Sequence, residues 1–167
     1  MNSKGFTLVE LIIVIGLIAI LLSIATLNFN SWQRKNLVER YVKELYTDVQ
    51  EARSSAVYTK FPQGIDLAAN QVTFRRYASD ADLVGVVLYT KQLPVTIDWS
   101  NWGTNRIVFN TRGVTTDTAA ATAIKVICFQ TTEEASYDAL IITPVLTNMG
   151  KVTNRGNACG QANVTQK

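Results

Sequence analysis

The chain has 167 residues, 47% of them apolar, with two cysteines, no histidine and a formal net charge of +3. The missing histidine excludes Ser-His-Asp and Cys-His catalysis and every metal site that uses an imidazole. A charge of +3 is too small to argue for nucleic acid by itself.

The N-terminus reads Lys4-Gly5-Phe6-Thr7-Leu8-Val9-Glu10, and residues 11–27 that follow carry no charge. In an ordinary secretory signal the apolar core precedes the cleavage site. Here the order is inverted: a cut after Gly5 leaves the core in the mature protein. At 1.5 Å per residue, residues 6–27 cover about the thickness of a bilayer. One acid, Glu10, stands at the mouth of this run. A carboxylate inside a membrane helix costs a few kcal/mol and by default is functional. Its partner must be a positive charge near the membrane. A free amine at Phe6 supplies one, with Glu10 then the fifth residue of the new chain. Loss of Lys4 with the leader lowers the formal charge from +3 by one.

This pattern resembles the class III leader of type IV pilins and type II secretion pseudopilins. The resemblance implies cleavage by a prepilin peptidase between Gly5 and Phe6 and N-methylation of Phe6. It also implies that Glu10 neutralises the terminal amine of a neighbouring subunit during filament assembly. Orientation contains a conflict. Arg34, Lys35, Arg40 and Lys43 outweigh Lys4, which by charge alone puts the C-terminal side in the cytoplasm. Long domains translocate largely regardless of flanking charge, and two cysteines suit an oxidising compartment. The bulk of the chain is therefore expected outside the cytoplasm.

Past the apolar run, Trp32 sits where an interfacial aromatic belongs. Val38, Tyr41/Val42, Leu45, Val49, Ala52 and Ala56 then recur at three- and four-residue steps, one apolar face of a helix. Glu39 and Lys43 are four apart in the favourable order, and Arg40 with Glu44 is the weaker pair. Pro62 stops the run. A single helix from Phe6 to about Lys60 would be about 80 Å long. Major pilins often carry a proline in the apolar half; here Leu27 stands there, which leans toward a minor pilin or pseudopilin.

The remainder reads as strands: residues 71–77, 83–88, 93–99, 106–109, 123–130 and 139–143. Turn signals fall at Pro62-Gln63-Gly64, Ser79-Asp80-Ala81-Asp82, Asn101-Trp102-Gly103 and Arg112-Gly113. Residues 115–122, rich in Thr and Ala, are expected to form a mobile loop. The predicted fold is α+β: a helical spine, membrane-embedded in its first half and amphipathic in its second, packed on an antiparallel β-sandwich-like head. The expected divisions are a leader at 1–5, a transmembrane or filament-core helix at 6–29, the amphipathic half at 30–61 and the head at 62–167.

Ile107-Val108-Phe109-Asn110-Thr111-Arg112-Gly113, and later Leu146-Thr147-Asn148-Met149-Gly150-Lys151-Val152, resemble the GspH/FimT group of minor pilins. Phe109 and Gly113 match its apolar-x-Phe-x-x-x-Gly turn, and Gly150 its final strand entry, with Lys151 where Arg is usual. Some FimT proteins bind DNA through a Gly-Arg-x-Arg motif, which makes Lys151 and Arg155 the candidate DNA contacts. Here the second basic residue is displaced to Arg155, and Glu133, Glu134 and Asp138 dilute the basic tint of Arg106, Arg112, Lys125, Lys151, Arg155 and Lys167. Ordinary solvated surface is the stronger reading.

Cys128 and Cys159, in an extracytoplasmic domain, are expected to pair and to tie the tail to the sheet, with a gain of about 3–4 kcal/mol on the chain-entropy model. Two thiols without histidine make a poor metal site. Asp80 and Asp82 read as turn residues, since no EF-hand pattern surrounds them. Ser54 and Ser55 have no base to activate them. The sequence thus predicts a structural subunit without catalytic residues, metal or cofactor: a minor pilin or pseudopilin of a type IV pilus or type II secretion pseudopilus, in an initiation or tip complex. Its expected partners are the prepilin peptidase, other pilins and the inner membrane, with the head in the periplasm and later in a filament. A pilus-borne DNA receptor is the alternative.

Overall fold

The computed structural model describes residues 5–99, 105–115, 124–156 and 158–166, and the side chains of all of them but 24–28. Helix α1 (Leu8–Thr59) is continuous over 52 residues, about 78 Å at the α-helical rise. It begins where Thr7, in extended conformation, turns its hydroxyl onto the Glu10 N–H at 3.3 Å, a side-chain N-cap. It ends at Lys60, which adopts φ 60°, and Pro62 two residues on prevents resumption.

The head contains nine strands among the described residues. β1 (Gln63–Ala68), β2 (Gln71–Arg76), β3 (Val86–Gln92) and β5 (Arg106–Phe109) form one antiparallel sheet in the order β3-β2-β1-β5. β4 (Ile97–Trp99), β6 (Lys125–Phe129), β7 (Ala139–Ile142), β8 (Thr147–Val152) and β9 (Val164–Gln166) form the second, in the order β4-β6-β7-β8-β9. The two inner faces and the second half of α1 share one core. Of the predicted stripe, Val38, Val42, Leu45, Val49, Ala52 and Ala56 are buried and Tyr41 is half-buried. It meets Ile65, Phe74 and Phe109 from the first sheet and Ile127, Leu140 and Ile142 from the second. Burying each of the larger side chains contributes about 1.5–3 kcal/mol.

Three sequence expectations change. The predicted turn at 62–64 is instead the entry to β1, which pairs with both β2 and β5 and so lies inside its sheet. The glycine there answers a steric demand: a Cβ on Gly64 would lie 2.5 Å from the Tyr77 ring. The third strand starts at Val86 rather than at residue 83, because Asp82 ties down the preceding backbone. Its carboxylate accepts from the amides of Ala78, Val84 and Gly85 at 3.0–3.1 Å. The strand predicted over 93–99 is only Ile97–Trp99. Strand β9 lies beyond the expected strands. The predicted turn at 101–103 lies outside the described residues, as does the predicted mobile loop beyond Thr115, which itself bridges to Phe109.

The helix-surface pairing also differs. Arg40 and Glu44 form the ion pair, at 3.5 Å. Glu39 and Lys43 face the head and find partners there: Glu39 accepts from the Ser136 N–H at 2.7 Å, and the Lys43 ammonium lies over the Tyr137 ring. The Ser136 hydrogen bond holds the Glu39 carboxyl below its usual range, against the opposing effect of burial, with Lys35 and Lys43 assisting. Because the folded value lies below the unfolded one, about 4.3, this contribution is present above that pH and fades as pH falls through the folded value. Glu39→Ala is expected to cost about 1 kcal/mol at neutral pH by leaving the amide unpaired, and the difference from wild type should shrink in thermal scans at pH 3.

Candidate functional site

The described side chains of residues 6–23 are not covered by the head. From Phe6 at 81% exposure through Leu22, every apolar side chain is exposed. Gly5 and Phe6 both lie exposed before the helix. Thr7-Leu8-Val9-Glu10 has the spacing of a capping box. Only half of the box forms. The Thr7 hydroxyl caps the Glu10 amide, while among the described residues the Glu10 carboxylate has no hydrogen bond and no ion pair. The acid therefore stands in the first turn, where the helix dipole favours it, with its charge uncommitted among the described residues. Among the described residues no helix is long and apolar enough to cross a membrane.

At the other end of the molecule, Cys128 in β6 is bonded to Cys159 in the tail, with Cα atoms 5.9 Å apart. Beside this link Asp138 is buried, accepting from the Val152 N–H at 2.6 Å and from the Arg155 guanidinium at 3.0 Å. Lys151 pairs with Glu134 at 3.4 Å. Gly150 sits in β8 directly under β9, where a Cβ would meet Val164 at 2.7 Å and the Thr165 carbonyl at 2.9 Å. The glycine is thus required for the tail strand to dock.

The two candidate DNA contacts are adjacent but each is committed to an acid. The remaining basic tint is also weaker than its residue count implies. Lys125 is buried, and Arg106 is bonded to Asp66, its neighbour across β1 and β5. Arg53 is packed over the Phe109 ring and donates to the Thr143 carbonyl and the Thr147 hydroxyl. Asp82 serves its turn, and its carboxyl is held below the usual range by the Ala78, Gly85 and Val84 amides.

Residues 1–26 match a family model described as the prokaryotic N-terminal methylation motif. No curated protein matches the chain significantly by sequence. Two crystal forms of the type IV minor pilin FimU from Pseudomonas aeruginosa share the fold. The first matches with a TM-score of 0.53 at 12% identity, covering 78% of this chain and 97% of that one. The second gives 0.51 at 12% identity, covering 74% and 97%. The N-terminus thus carries a prokaryotic methylation motif, and the chain has the fold of the FimU structures.

Proposed function

We propose that the chain is a minor pilin or pseudopilin, cut by prepilin peptidase between Gly5 and Phe6 and methylated at Phe6. Residues 1–5 are the leader, 6–29 the membrane and filament-core helix, 30–61 the amphipathic half and 62–167 the head. The precursor waits in the inner membrane with one pass and a periplasmic head. Other pilins then draw it into the initiation or tip complex of a type IV pilus or type II secretion pseudopilus. The observation that carries this reading is the divided spine: one half buries an apolar stripe in its own head, and the other leaves all its described apolar side chains uncovered. At about 25 cal/mol per Å², burial of that surface among neighbouring spines supplies the cohesion of a filament. Mass analysis of the chain in sheared filaments tests it. A chain beginning at methylated Phe6 is the expected result; absence from filaments, or presence with the leader intact, overturns it.

The DNA-receptor reading has less to stand on, because phosphate would have to displace Glu134 from Lys151 and Asp138 from Arg155. The full-length protein in detergent is expected to bind duplex DNA weakly at 50 mM salt. Little change is expected in Lys151→Ala, Arg155→Ala. Tight binding that falls steeply with salt, with a shallower slope in the double variant, would restore that reading.

A further inference from the structure

Of the strands at sheet edges, β4 and β9 have three residues each and β5 has four. β3 has seven, and it is the one whose apolar side chains are exposed. Leu83, Val84, Val86, Val87, Leu88 and Tyr89 are between 43 and 78% exposed. Among the described residues the backbone of Val86–Gln92 makes no hydrogen bond outside its ladder with β2. Proteins usually blunt such an edge with lysine, proline or brevity. The single charge of β3, Lys91, turns inward instead, to Asp48 at 2.7 Å and Glu44 at 3.3 Å.

The lead-in to this edge is held in place rather than slack. Asp82 binds three backbone amides, as above. Arg106 donates to the Leu83 carbonyl at 2.6 Å and Arg75 to the Val84 carbonyl at 3.1 Å. Both guanidinium groups are fixed by Asp66, at 2.7 and 2.6 Å. Polar groups are thereby spent on holding two apolar side chains out in solvent, at 78 and 73% exposure.

The geometry points to β3 as a docking edge that takes an added strand from the head of a neighbouring filament subunit. An open row of amides and carbonyls is matched by an extended backbone, and the lack of charge on residues 83–90 asks for an uncharged apolar strand. That strand is not β3 of an identical copy. Continuous antiparallel β3–β3 pairing requires a two-fold axis normal to the sheet. The spine packs across the inner face of that sheet, so this axis would turn one spine end for end, and both copies could not share one membrane or one filament direction. The occupant is therefore a different strand on a subunit whose spine runs parallel. This inference rests on the filament-subunit reading.

A synthetic peptide of residues 83–90 with flanking lysines, free of any spine, is the probe for the edge. Binding to the full-length protein in detergent is expected to be at least tenfold tighter than that of the same peptide N-methylated at alternate amides, which keeps the side chains and removes the ladder. Val87→Lys is expected to weaken it at least tenfold. Equal binding of the two peptides, or binding of neither, overturns strand addition. In cells, Val87→Lys is expected in sheared filaments at a tenth of the wild-type level or less, with the leader removed and the Cys128–Cys159 bond intact. A normal level overturns the docking role. Absence of the wild-type chain from filaments strikes the subunit reading instead, and the peptide measurement then decides the edge alone.

Discussion

Filaments sheared from cells carrying Glu10→Val are expected to hold less than a tenth of the wild-type amount of the chain, while the membrane fraction still contains the processed form. Glu10 lies on a helix half whose described apolar side chains are all exposed, and its carboxylate has no partner among the described residues of its own chain. When such a surface is covered by other spines, a charge left alone costs several kcal/mol, and an amine left alone costs a similar amount. Valine removes the acid and leaves the neighbour's amine unpaired. A loss of 1.4 kcal/mol already means a factor of ten. The helix start should survive, because the Thr7 hydroxyl bonds the backbone amide of residue 10 and not its side chain. Glu10→Gln separates charge from shape and is expected to fail nearly as badly. Wild-type amounts of the Val variant in filaments would remove Glu10 from the assembly mechanism.

The spine was legible because a helix reports its buried face through a local period. The stripe from Val38 to Ala56 recurs every three or four residues, and all of its residues but the half-buried Tyr41 prove buried. The Cys128–Cys159 bond was legible from compartment and count, and the match to FimU structures agrees with the predicted helix-plus-antiparallel-head fold. What failed depended on residues distant in sequence. Pro62-Gln63-Gly64 has the composition of a turn, yet Gly64 is glycine because the Tyr77 ring occupies the space of its Cβ. Glu39 leaves its i+4 partner because the Ser136 amide arrives from the loop between β6 and β7.

The tail shows the same division. In the sequence Asp138 reads as one of several acids diluting a basic surface, since nothing in its neighbourhood marks it as different from Glu133 or Glu134. Its burial comes from β7 and β8 closing beside it. The consequence is functional as well as structural: the side chain most suited to a phosphate, Arg155, is the one that closes the tail.

Asp138→Ala is accordingly expected to be among the most destabilising single changes in the head, by about 3 kcal/mol, because it leaves a buried pair broken and the Val152 amide without its acceptor. For a head of this size that corresponds to a fall of about 10 °C in the unfolding midpoint. Cys128→Ser, Cys159→Ser removes a link across 31 residues, worth about 3–4 kcal/mol on the chain-entropy model. The two losses are expected to add to less than their sum, since both act on the same tail and a tail freed at one point has less to lose at the other. Strict additivity in a thermal double-mutant cycle would mean that the pair and the bond hold different structures. The pH response supplies a second readout. Burial pushes the Asp138 carboxyl above its usual value, and the Val152 amide and the Arg155 and Lys151 charges offset this only in part. A group raised in this way contributes most below its unfolded value, about 3.9, and loses that contribution as pH rises through the folded value. Glu39 slopes the other way, so the informative quantity is the difference between wild type and Asp138→Asn at each pH. Asparagine cannot ionise, though its amide sets a donor against Arg155. Its deficit relative to wild type is therefore expected to shrink as pH rises from 4 to 7; a deficit that grows over that range would show that the Arg155 pairing outweighs the burial of the charge.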